Sequence, residues 1–295
     1  QVFSLNPDVD DEGVTFKSTY DGSRHRYTPE SAVHTQQLLG ADIQMVLDVC
    51  PPLPSPAHVV RLALERTSSW AQRAIATHAR TDQSLFGIVQ GGTSLQLRAR
   101  SLELTQQVDL PGYAIGGVAV GESTQAICDV VQFTASKLPE HKPRYLMGVG
   151  YAHDIVMAVA AGVDMFDCVH PTRVGRNGAA FTPDGLINLR NERYRADPLP
   201  LVEGLENYTC RNFSRSYLRH LVMAGEILAC TLLTIHNVHF YLDLMEKCSV
   251  SMDTRKADYT SLRSYYLFGS SPEQPPAYFN KIHPHLDQLT SFLYS

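Results

Sequence analysis

The sequence has little of what marks a membrane or secreted protein. No run approaches eighteen consecutive apolar residues, and the segment from Gln1 to Leu5 forms neither a basic nor a long apolar leader. Six cysteines in 295 residues are too few and too scattered for a disulfide framework, which indicates free thiols. A basic excess is also missing, since 25 Lys and Arg stand against 30 Asp and Glu, a formal net charge of −5. These absences predict a cytoplasmic globule in which any nucleic-acid contact is local.

The composition excludes disorder, collagen and coiled coil. With 44% hydrophobic and 19% charged residues, the chain has the make-up of a soluble globular protein. Its length suits one large (β/α) barrel or two medium domains. The chain begins with Gln1 and not with Met, so we expect either processing or a missing upstream segment.

From Asp42 onward, short apolar runs alternate with stretches whose apolar residues recur every three or four positions. The alternation predicts a parallel sheet with helical crossovers, either closed as a barrel or open and doubly wound. The apolar runs are 43–47, 85–89, 113–115, 145–149 and 163–166, with 14–17 as a possible sixth. The helical stretches are 57–80, 94–107, 124–138 and 152–161.

Polar or glycine-rich tips follow these runs, at the same end of successive strands. In a barrel such tips converge on one mouth, whereas in an open sheet they spread along an edge. We therefore favour a barrel, although only five or six strands are visible and a full eight-stranded closure needs further elements. Beyond Asp167 the pattern predicts a hairpin of 179–182 and 186–189 around Pro183-Asp184-Gly185, then helices over 214–223 and 238–248.

Asp167 directly follows the last of these runs. A carboxylate at a strand end is partly desolvated and can act as a nucleophile at a sugar's anomeric carbon, forming a covalent intermediate. It could equally cap the following loop. Downstream, Arg173 and Arg176 lie in a glycine-rich loop, where guanidinium groups suit a phosphate backbone. Two solvated surface arginines are the alternative.

A second group comprises Asp48, Gln90, Gly116 and Gly117, which follow three of the apolar runs. A buried carboxylate accepts two N–H groups from a base edge, while a Gln amide and glycine N–H groups donate to a carbonyl oxygen. Together they predict a pocket for an amino-oxo pyrimidine ring such as that of guanine. Taken singly, the glycines could be turn residues and Asp48 a cap.

Cys210 and His236 form a third group. Alone they make a poor zinc site, because structural zinc takes four ligands that include a close Cys pair. His220 and Cys230 are further candidates, although Cys230 lies in an apolar stretch typical of a packed thiol.

Five longer strings closely resemble the queuine tRNA-ribosyltransferases, also called tRNA-guanine transglycosylases. The likeness runs from Gln1 to about residue 248 and fades beyond it. The strings are IVQGG (88–92), GYAIGGVAVGE (112–122), KPRYLMGVG (142–150), GVDMFDCVHPTRVGRNG (162–178) and YTCRNFSRSYLRHL (208–221).

The resemblance implies a TIM barrel with an inserted zinc-binding subdomain that exchanges the wobble guanine of GUN-anticodon tRNAs in queuosine biosynthesis. By this likeness Asp167 attacks the ribose C1′ and expels guanine, and an incoming deazaguanine then resolves the ester with retention. The residues that match base-reading positions are Asp48, Gln90 and Gly117. Those that match positions holding the anticodon region are Arg173 and Arg176, which would make the tRNA contact local.

The incoming base can be narrowed from the string GGVAVGE. Val120 stands where bacterial-type members carry Val and where eukaryotic members, which take the bulkier queuine, carry Gly. A valine side chain narrows the pocket, a difference worth about 1 to 3 kcal/mol. We expect a bacterial-type enzyme that takes preQ1, the 7-aminomethyl base, with Glu122 near the aminomethyl group. The expected partners are tRNA, preQ1 or guanine, and a second copy of the chain; no organic cofactor is implied.

The zinc motif of the family, C-x-C-x2-C with a distant His, is only half present. Cys210 fits the third Cys and His236 the His, but Leu205 and Asn207 occupy the first two positions. Such a set should bind zinc weakly, so we expect a weak or empty site. Glu203 or Glu206 could substitute for the missing ligands.

The second departure is at the start. Family members carry DSGGFQVFSL, and this chain opens at the Gln of that string. The aspartate of that string, usually assigned as a base or base-orienting group, is therefore outside this sequence. The first barrel strands are outside it as well. Since a barrel lacking strands exposes unpaired edges, we expect an N-terminally incomplete barrel from a longer protein.

We divide the chain into a barrel core (1–190), a zinc-type subdomain with a degenerate motif and the last barrel helix (191–250), and a helical tail (251–295). The main alternative is a non-catalytic tRNA-binding or dimer-partner paralogue of the same fold. The incomplete zinc motif and the missing aspartate favour this alternative. The presence of Asp167, Asp48 and Gln90 argues against it. A glycosidase or lyase barrel is a more distant alternative.

Overall fold

The computed structural model describes residues 7–253. The string that opens the chain and nearly all of the expected tail at 251–295 lie outside these residues. Contacts between Cα atoms divide the chain into two compact units. Among the described residues, the first unit holds 7–149 and 157–167, and the second holds 150–156 and 168–253.

The first unit begins with a small antiparallel sheet of β1 (Asp8–Val9), β2 (Val14–Lys17) and β3 (Arg24–Tyr27). The interpretation of 14–17 as a barrel strand is therefore wrong, because β2 pairs antiparallel with both of its neighbours in sequence. A side-chain contact anchors this sheet, since the buried Trp70 donates its Nε1–H to the Asp11 carbonyl oxygen at 2.7 Å.

The main sheet of the first unit is parallel, in the order β4-β5-β6-β7-β8. Its strands occupy Ile43–Met45, Ser84–Val89, Gly112–Ile115, Arg144–Leu146 and Met165–Phe166. Helix α1 (Pro29–Leu39) precedes it, and the crossovers contain α2 (Ala57–Thr77), α3 (Leu95–Gln106), α4 (Thr124–Ala135) and α5 (Ala152–Ala160). The predicted alternation of strands and helices is confirmed; β4, β7 and β8 are shorter than predicted, and β5 and β6 are each one residue longer.

Strand order separates the two architectures that periodicity left open. A doubly wound sheet reverses its order at a switch point, whereas these strands follow one another in sequence order, as in a (β/α) barrel. The fold is mixed α/β with a parallel half-barrel sheet, consistent with a TIM-like architecture. Its core is formed by aliphatic side chains of the central strands and facing helices, including Leu85, Ile88, Val89, Ile115 and Leu146.

Local chemistry sets the helix boundaries. The Thr28 hydroxyl accepts the Ser31 N–H at the start of α1, Pro29 supplies a preset φ, and Gly40 ends the helix in the left-handed region at φ 72°. Ser94 and Ser123 accept backbone N–H groups at the starts of α3 and α4 in the same way.

The second unit contains α6 (His170–Arg176), the hairpin β9 (Ala179–Thr182) and β10 (Gly185–Asn188), a 3-10 turn (Glu192–Tyr194), α7 (Tyr208–Asn212), α8 (Arg215–Ala224) and α9 (Ile227–Asp253). The predicted hairpin is confirmed. The helix predicted at 238–248 is part of the longer α9. The fully buried Asn237 joins three elements: its amide nitrogen donates to the carbonyl oxygens of Pro171 and Ala179, and its Oδ1 accepts the Phe181 N–H.

One sequence expectation needs correction here. The glycine-rich loop predicted around Arg173 and Arg176 is helical. Gly175 lets α6 pack on the backbone of α9, where a Cβ would meet Thr234 N at 2.9 Å.

Helix α9 has, over Ile227–Ser249, the length and mean hydropathy of a bilayer span. This is weak evidence for a membrane, since 44% of the apolar window is buried and a core helix passes the same test.

Candidate active site

Polar residues or glycines that the sequence singled out follow four of the five strands of the parallel sheet, at the carboxyl end of each. Asp48 follows β4, Gln90 follows β5, Gly116 and Gly117 follow β6, and Asp167 follows β8. Because parallel strands present their carboxyl ends at one edge, the sheet gathers the residues that the sequence singled out. This edge is where α/β barrels build their active sites.

Asp48 and Gln90 form a direct pair. The Gln90 Nε2 donates to Asp48 Oδ2 at 2.5 Å, the Gln90 side chain is buried, and Asp48 is half-buried. Burial raises the pKa of Asp48 to about 6, against the opposing effect of the Gln90 hydrogen bond. The carboxylate is therefore ionised at neutral pH and can accept further N–H groups from a ligand.

Gly116 and Gly117 pack against the Gln90 amide. A Cβ on Gly117 would lie 2.3 Å from Gln90 Oε1, and a Cβ on Gly116 would lie 2.9 Å from Gln90 Nε2. Gly117 also has φ +64°, a conformation that L side chains rarely adopt. These glycines are required for close approach, which fixes the orientation of the Gln90 amide.

Glu122 closes the next turn. Its carboxylate accepts the N–H groups of Ala119 and Val120, the latter at 2.9 Å, and so holds Ala119 at φ +60°. The same residue lines a cleft of about 320 Å³ together with Gly91, Gly121 and apolar side chains that include Leu53 and Val60. Glu122 is thus both a turn residue and part of a concave surface.

Asp167 lies at the end of β8 and is more exposed than the sequence suggested, since β8 is only two residues long and forms the edge of the described sheet. The Tyr145 hydroxyl donates to Asp167 Oδ1 at 2.6 Å, and the Gly148 N–H donates to the same oxygen at 2.8 Å. Within residues 7–253, no protein group donates to Oδ2. Burial, and then the neighbouring Asp167, raise the pKa of Tyr145, which keeps its hydroxyl protonated as a donor.

Arg173 and Arg176 occupy the last turn of α6 and are exposed. Among the described residues, neither guanidinium group forms a hydrogen bond or an ion pair. Their charge is therefore available to a ligand, as phosphate contacts require.

Cys210 and His236 lie together in the second unit. The distance between Cys210 Sγ and His236 Nδ1 is 3.4 Å, and Asn207 Nδ2 lies 3.3 Å from the same nitrogen. His236 Nε2 is 2.7 Å from the Phe181 carbonyl oxygen, which can only accept, so Nε2 carries the proton and Nδ1 is an acceptor. Burial lowers the pKa of His236 and raises that of Cys210, which favours a neutral imidazole and a thiol.

Comparison with known proteins decides the family. The family model for queuine tRNA-ribosyltransferase matches residues 1–258. The chain belongs to the queuine tRNA-ribosyltransferase family.

Relatives support this assignment across bacteria. Proteins named queuine tRNA-ribosyltransferase are 50% identical over 249 residues in Herpetosiphon aurantiacus, covering 84% of this chain and 64% of that protein. In Thermus thermophilus the identity is 47% over 279 residues, covering 94% and 72%. In Gloeobacter violaceus it is 54% over 244 residues, covering 81% and 65%. The chain thus spans about two thirds of the length of the curated relatives it matches.

Membership of the queuine tRNA-ribosyltransferase family raises the question of zinc. A tetrahedral zinc with one sulfur and one nitrogen ligand holds those atoms about 3.5 Å apart, and Cys210 and His236 have that spacing. The third neighbour is the amide of Asn207, and no group of three or more His, Cys, Asp or Glu suited to a metal occurs within residues 7–253. The residues present therefore do not fit a structural zinc ion.

Three residues near the queuine tRNA-ribosyltransferase motifs were not predicted from the sequence. Arg98 is fully buried in α3 and donates to the carbonyl oxygens of Val89, Gly92 and Gly117 at 2.9 to 3.2 Å. Tyr145 holds Asp167, as described above. The thiol of Cys50 lies close to Asp48 and Gly117, and burial raises its pKa to about 11.

Only one of the three had a usable signal in the sequence. Cys50 stands two positions after Asp48, so the strand-end argument could have included it. Arg98 lies on a helix whose polar residues would be expected to face solvent. Tyr145 lies in a strand next to apolar residues. The contacts of both residues therefore emerge only from the folded structure.

Proposed function

We propose that this chain catalyses base exchange at a guanosine of tRNA. The observation that carries the proposal is the Asp167 carboxylate, which is held at Oδ1 by Tyr145 and Gly148 and has Oδ2 without a protein donor in the described chain. A carboxylate fixed at one oxygen and free at the other is oriented for attack on an anomeric carbon.

The reaction takes two displacements at one carbon. Asp167 Oδ2 bonds to the ribose C1′ while the bond from C1′ to guanine N9 breaks, and guanine leaves with the electron pair and takes up a proton. The incoming base loses its N9 proton and bonds to C1′ while the ester C–O bond breaks, which regenerates the carboxylate. Two inversions give net retention, the logic of retaining glycosidases.

Asp48 and Gln90 would bind the base. Above about pH 6 the Asp48 carboxylate accepts the N1–H and the 2-amino group of guanine. The Gln90 amide, held by Gly116 and Gly117, has a second N–H available for the O6 carbonyl, since one already goes to Asp48. Arg98 keeps the two loops that carry these residues in place.

The incoming base we propose is preQ1. Val120 narrows the pocket relative to a glycine, and the Glu122 carboxylate, which accepts two backbone N–H groups, has lone pairs left for an aminomethyl ammonium. The tRNA would be held by Arg173 and Arg176, which suits the anticodon loop of GUN tRNAs and the acidic net charge of the chain.

Zinc is not part of the proposed enzyme. Asn207, Cys210 and His236 replace a metal centre by hydrogen bonds, since Asn207 Oδ1 also accepts the Cys210 N–H at 2.9 Å and His236 ties α9 to β9. The buried Thr209 hydroxyl adds a bond to the Leu232 carbonyl oxygen at 2.7 Å. A zinc-type subdomain at 191–250 without a bound metal is the arrangement that these contacts support.

We propose that the working enzyme is a cytoplasmic homodimer whose core is a TIM barrel that includes residues 1–190. An exposed apolar stripe runs along α9, and such patches mark interaction surfaces. Its members are Ile227, Leu228, Ile235, Val238 and Leu242.

Incorporation of labelled guanine into tRNA tests the proposal. We expect incorporation by the purified protein and loss of at least about a thousandfold in Asp167→Ala, since no other group forms the ester. Asp129→Ala removes an exposed carboxylate of α4 and should match the parent. Equal activity of parent and Asp167→Ala would refute the nucleophile. Tight tRNA binding without incorporation by the parent would favour a non-catalytic paralogue.

A further inference from the structure

An exposed tyrosine of the second unit, Tyr151, packs against the first of three further aromatic rings that contact one another in series. The Tyr151 side chain is 54% exposed, and its ring centroid lies 4.4 Å from that of His170. His170 in turn lies 5.5 Å from Phe181, which meets the Tyr241 ring at 5.2 Å. We call these four residues the aromatic column.

Hydrogen bonds fix both ends of the aromatic column to the backbone around Tyr151. The Tyr241 hydroxyl donates to the Gly150 carbonyl oxygen at 2.6 Å, directly before Tyr151 in the chain. The Tyr151 carbonyl oxygen accepts the Ile155 N–H in the first turn of α5. The His153 ring also lies beside Tyr151, with centroids 5.8 Å apart and ring planes 27° from parallel, and the Tyr151 side chain remains 54% exposed. An aromatic ring fixed in this way loses little conformational entropy when a second ring stacks on it.

Two exposed arginines lie on the short helix that carries His170. Arg173, one helical turn after His170, and Arg176 are exposed and have no ion-pair partner within the described residues. The nearest acid of the same segment, Asp154, is buried with its Oδ1 3.0 Å from His153 Nε2. Burial, and then Arg173, lower the pKa of His170, so its ring carries no charge at neutral pH.

We propose that the exposed face of Tyr151 is a stacking platform for an unpaired base of an RNA chain whose phosphates contact Arg173 and Arg176. A fixed aromatic face beside unpartnered guanidinium groups is the combination that binds single-stranded nucleic acid, since every base has a π face and every nucleotide a phosphate. This inference rests on the proposed function and adds a contact to a base other than the one exchanged.

Fluorescence tests the platform directly. The chain has a single tryptophan, Trp70, which is fully buried in the first unit. In Tyr151→Trp, titration with an RNA stem-loop carrying a GUN anticodon should quench the new fluorescence with saturation, whereas the parent should change little. The same stem as a blunt duplex without the loop should not quench. Absence of quenching at RNA concentrations that saturate binding by anisotropy would overturn the proposal.

Binding of the same stem-loop by substituted proteins provides the second readout. Tyr151→Ala should weaken RNA affinity by about 10-fold to 100-fold, and Tyr151→Phe should stay close to the parent. Tyr20→Ala removes a still more exposed tyrosine of the first unit and should have no effect. In base exchange, Tyr151→Ala should raise KM for tRNA and leave KM for guanine unchanged, which a merely destabilised protein would not do.

The two proposals fail separately. Quenching by the stem-loop without any base exchange would refute the proposed function and leave the platform standing. Base exchange by Tyr151→Ala with the parent's KM for tRNA would refute the platform and leave the proposed function standing.

Discussion

Asp48 is a carboxyl group that the fold keeps half-buried, and its ionisation would link the proposed base binding to stability. Burial raises its pKa to about 6, above the value of 3.8 for an exposed carboxyl. As the pH rises, the unfolded chain therefore loses this proton before the folded chain does. The stabilising contribution of Asp48 is complete below about pH 4 and is lost as the pH rises through about 6.

Asp48→Asn removes this dependence. Relative to the variant, the free energy of unfolding of the parent should fall by up to about 3 kcal/mol between about pH 4 and pH 6.5, measured by urea denaturation at each pH. Asp129→Asn, on the exposed face of α4, should follow the parent. A difference between Asp48→Asn and the parent that stays constant over this range would contradict the assignment.

Arg98 is a positioning residue that acts through the loops it holds. In Arg98→Met the guanidinium is removed, so the buried carbonyl oxygens of Gly92 and Gly117 lose the donor that Arg98 supplies, while that of Val89 keeps the Gly116 N–H. The loss should cost about 3 kcal/mol of the free energy of unfolding. KM for guanine should rise more than kcat falls, because Gln90 and Gly117 lose their support. Arg98→Lys should recover part of both effects.

Arg100→Met is the matched control for Arg98. Arg100 lies on the same helix, is exposed and, within residues 7–253, pairs only with Glu103, so its loss should change stability by less than about 0.5 kcal/mol. If Arg98→Met and Arg100→Met were equally mild, the support assigned to Arg98 would be wrong.

At the scale of elements, α7 and α9 preserve half of a metal site. Leu205→Cys with Asn207→Cys should create a site holding about one zinc per chain, since Cys210 and His236 already have ligand spacing. Elemental analysis after dialysis measures this, with the parent expected to retain no tight zinc. The single variant Asn207→Cys should bind more weakly than the double variant. One tightly held zinc in the parent would contradict the metal-free arrangement.

The sequence predicted the elements wherever pattern and local chemistry agree. The parallel strands, their crossover helices and the hairpin around Pro183 follow from periodicity and turn residues, and the strand-end rule located Asp48, Gln90 and Asp167. The failures have tertiary causes. Gly175 suggested a loop but allows α6 to pack on α9, and β2 looked like a barrel strand although it pairs with β1 and β3.

For the whole molecule, the apolar stripe of α9 predicts self-association. Leu242→Asp with Ile235→Asp should convert a dimer to a monomer in analytical ultracentrifugation, because two charges would be buried in the contact. Leu39→Asp places the same charge on a more exposed leucine of α1 and should leave the dimer intact. An unchanged sedimentation coefficient in the double variant would assign the stripe another role.

The acidic net charge of the whole chain coexists with a local basic site, so tRNA affinity should depend on few phosphates. The central claim is the covalent bond between Asp167 and ribose, and intact mass spectrometry of the denatured protein after incubation with a GUN stem-loop RNA tests it most directly. The account predicts a species with the mass of protein plus RNA minus guanine, mapping to Asp167 and absent in Asp167→Asn. Base exchange by the parent with no such species, or with the adduct on another residue, would contradict it.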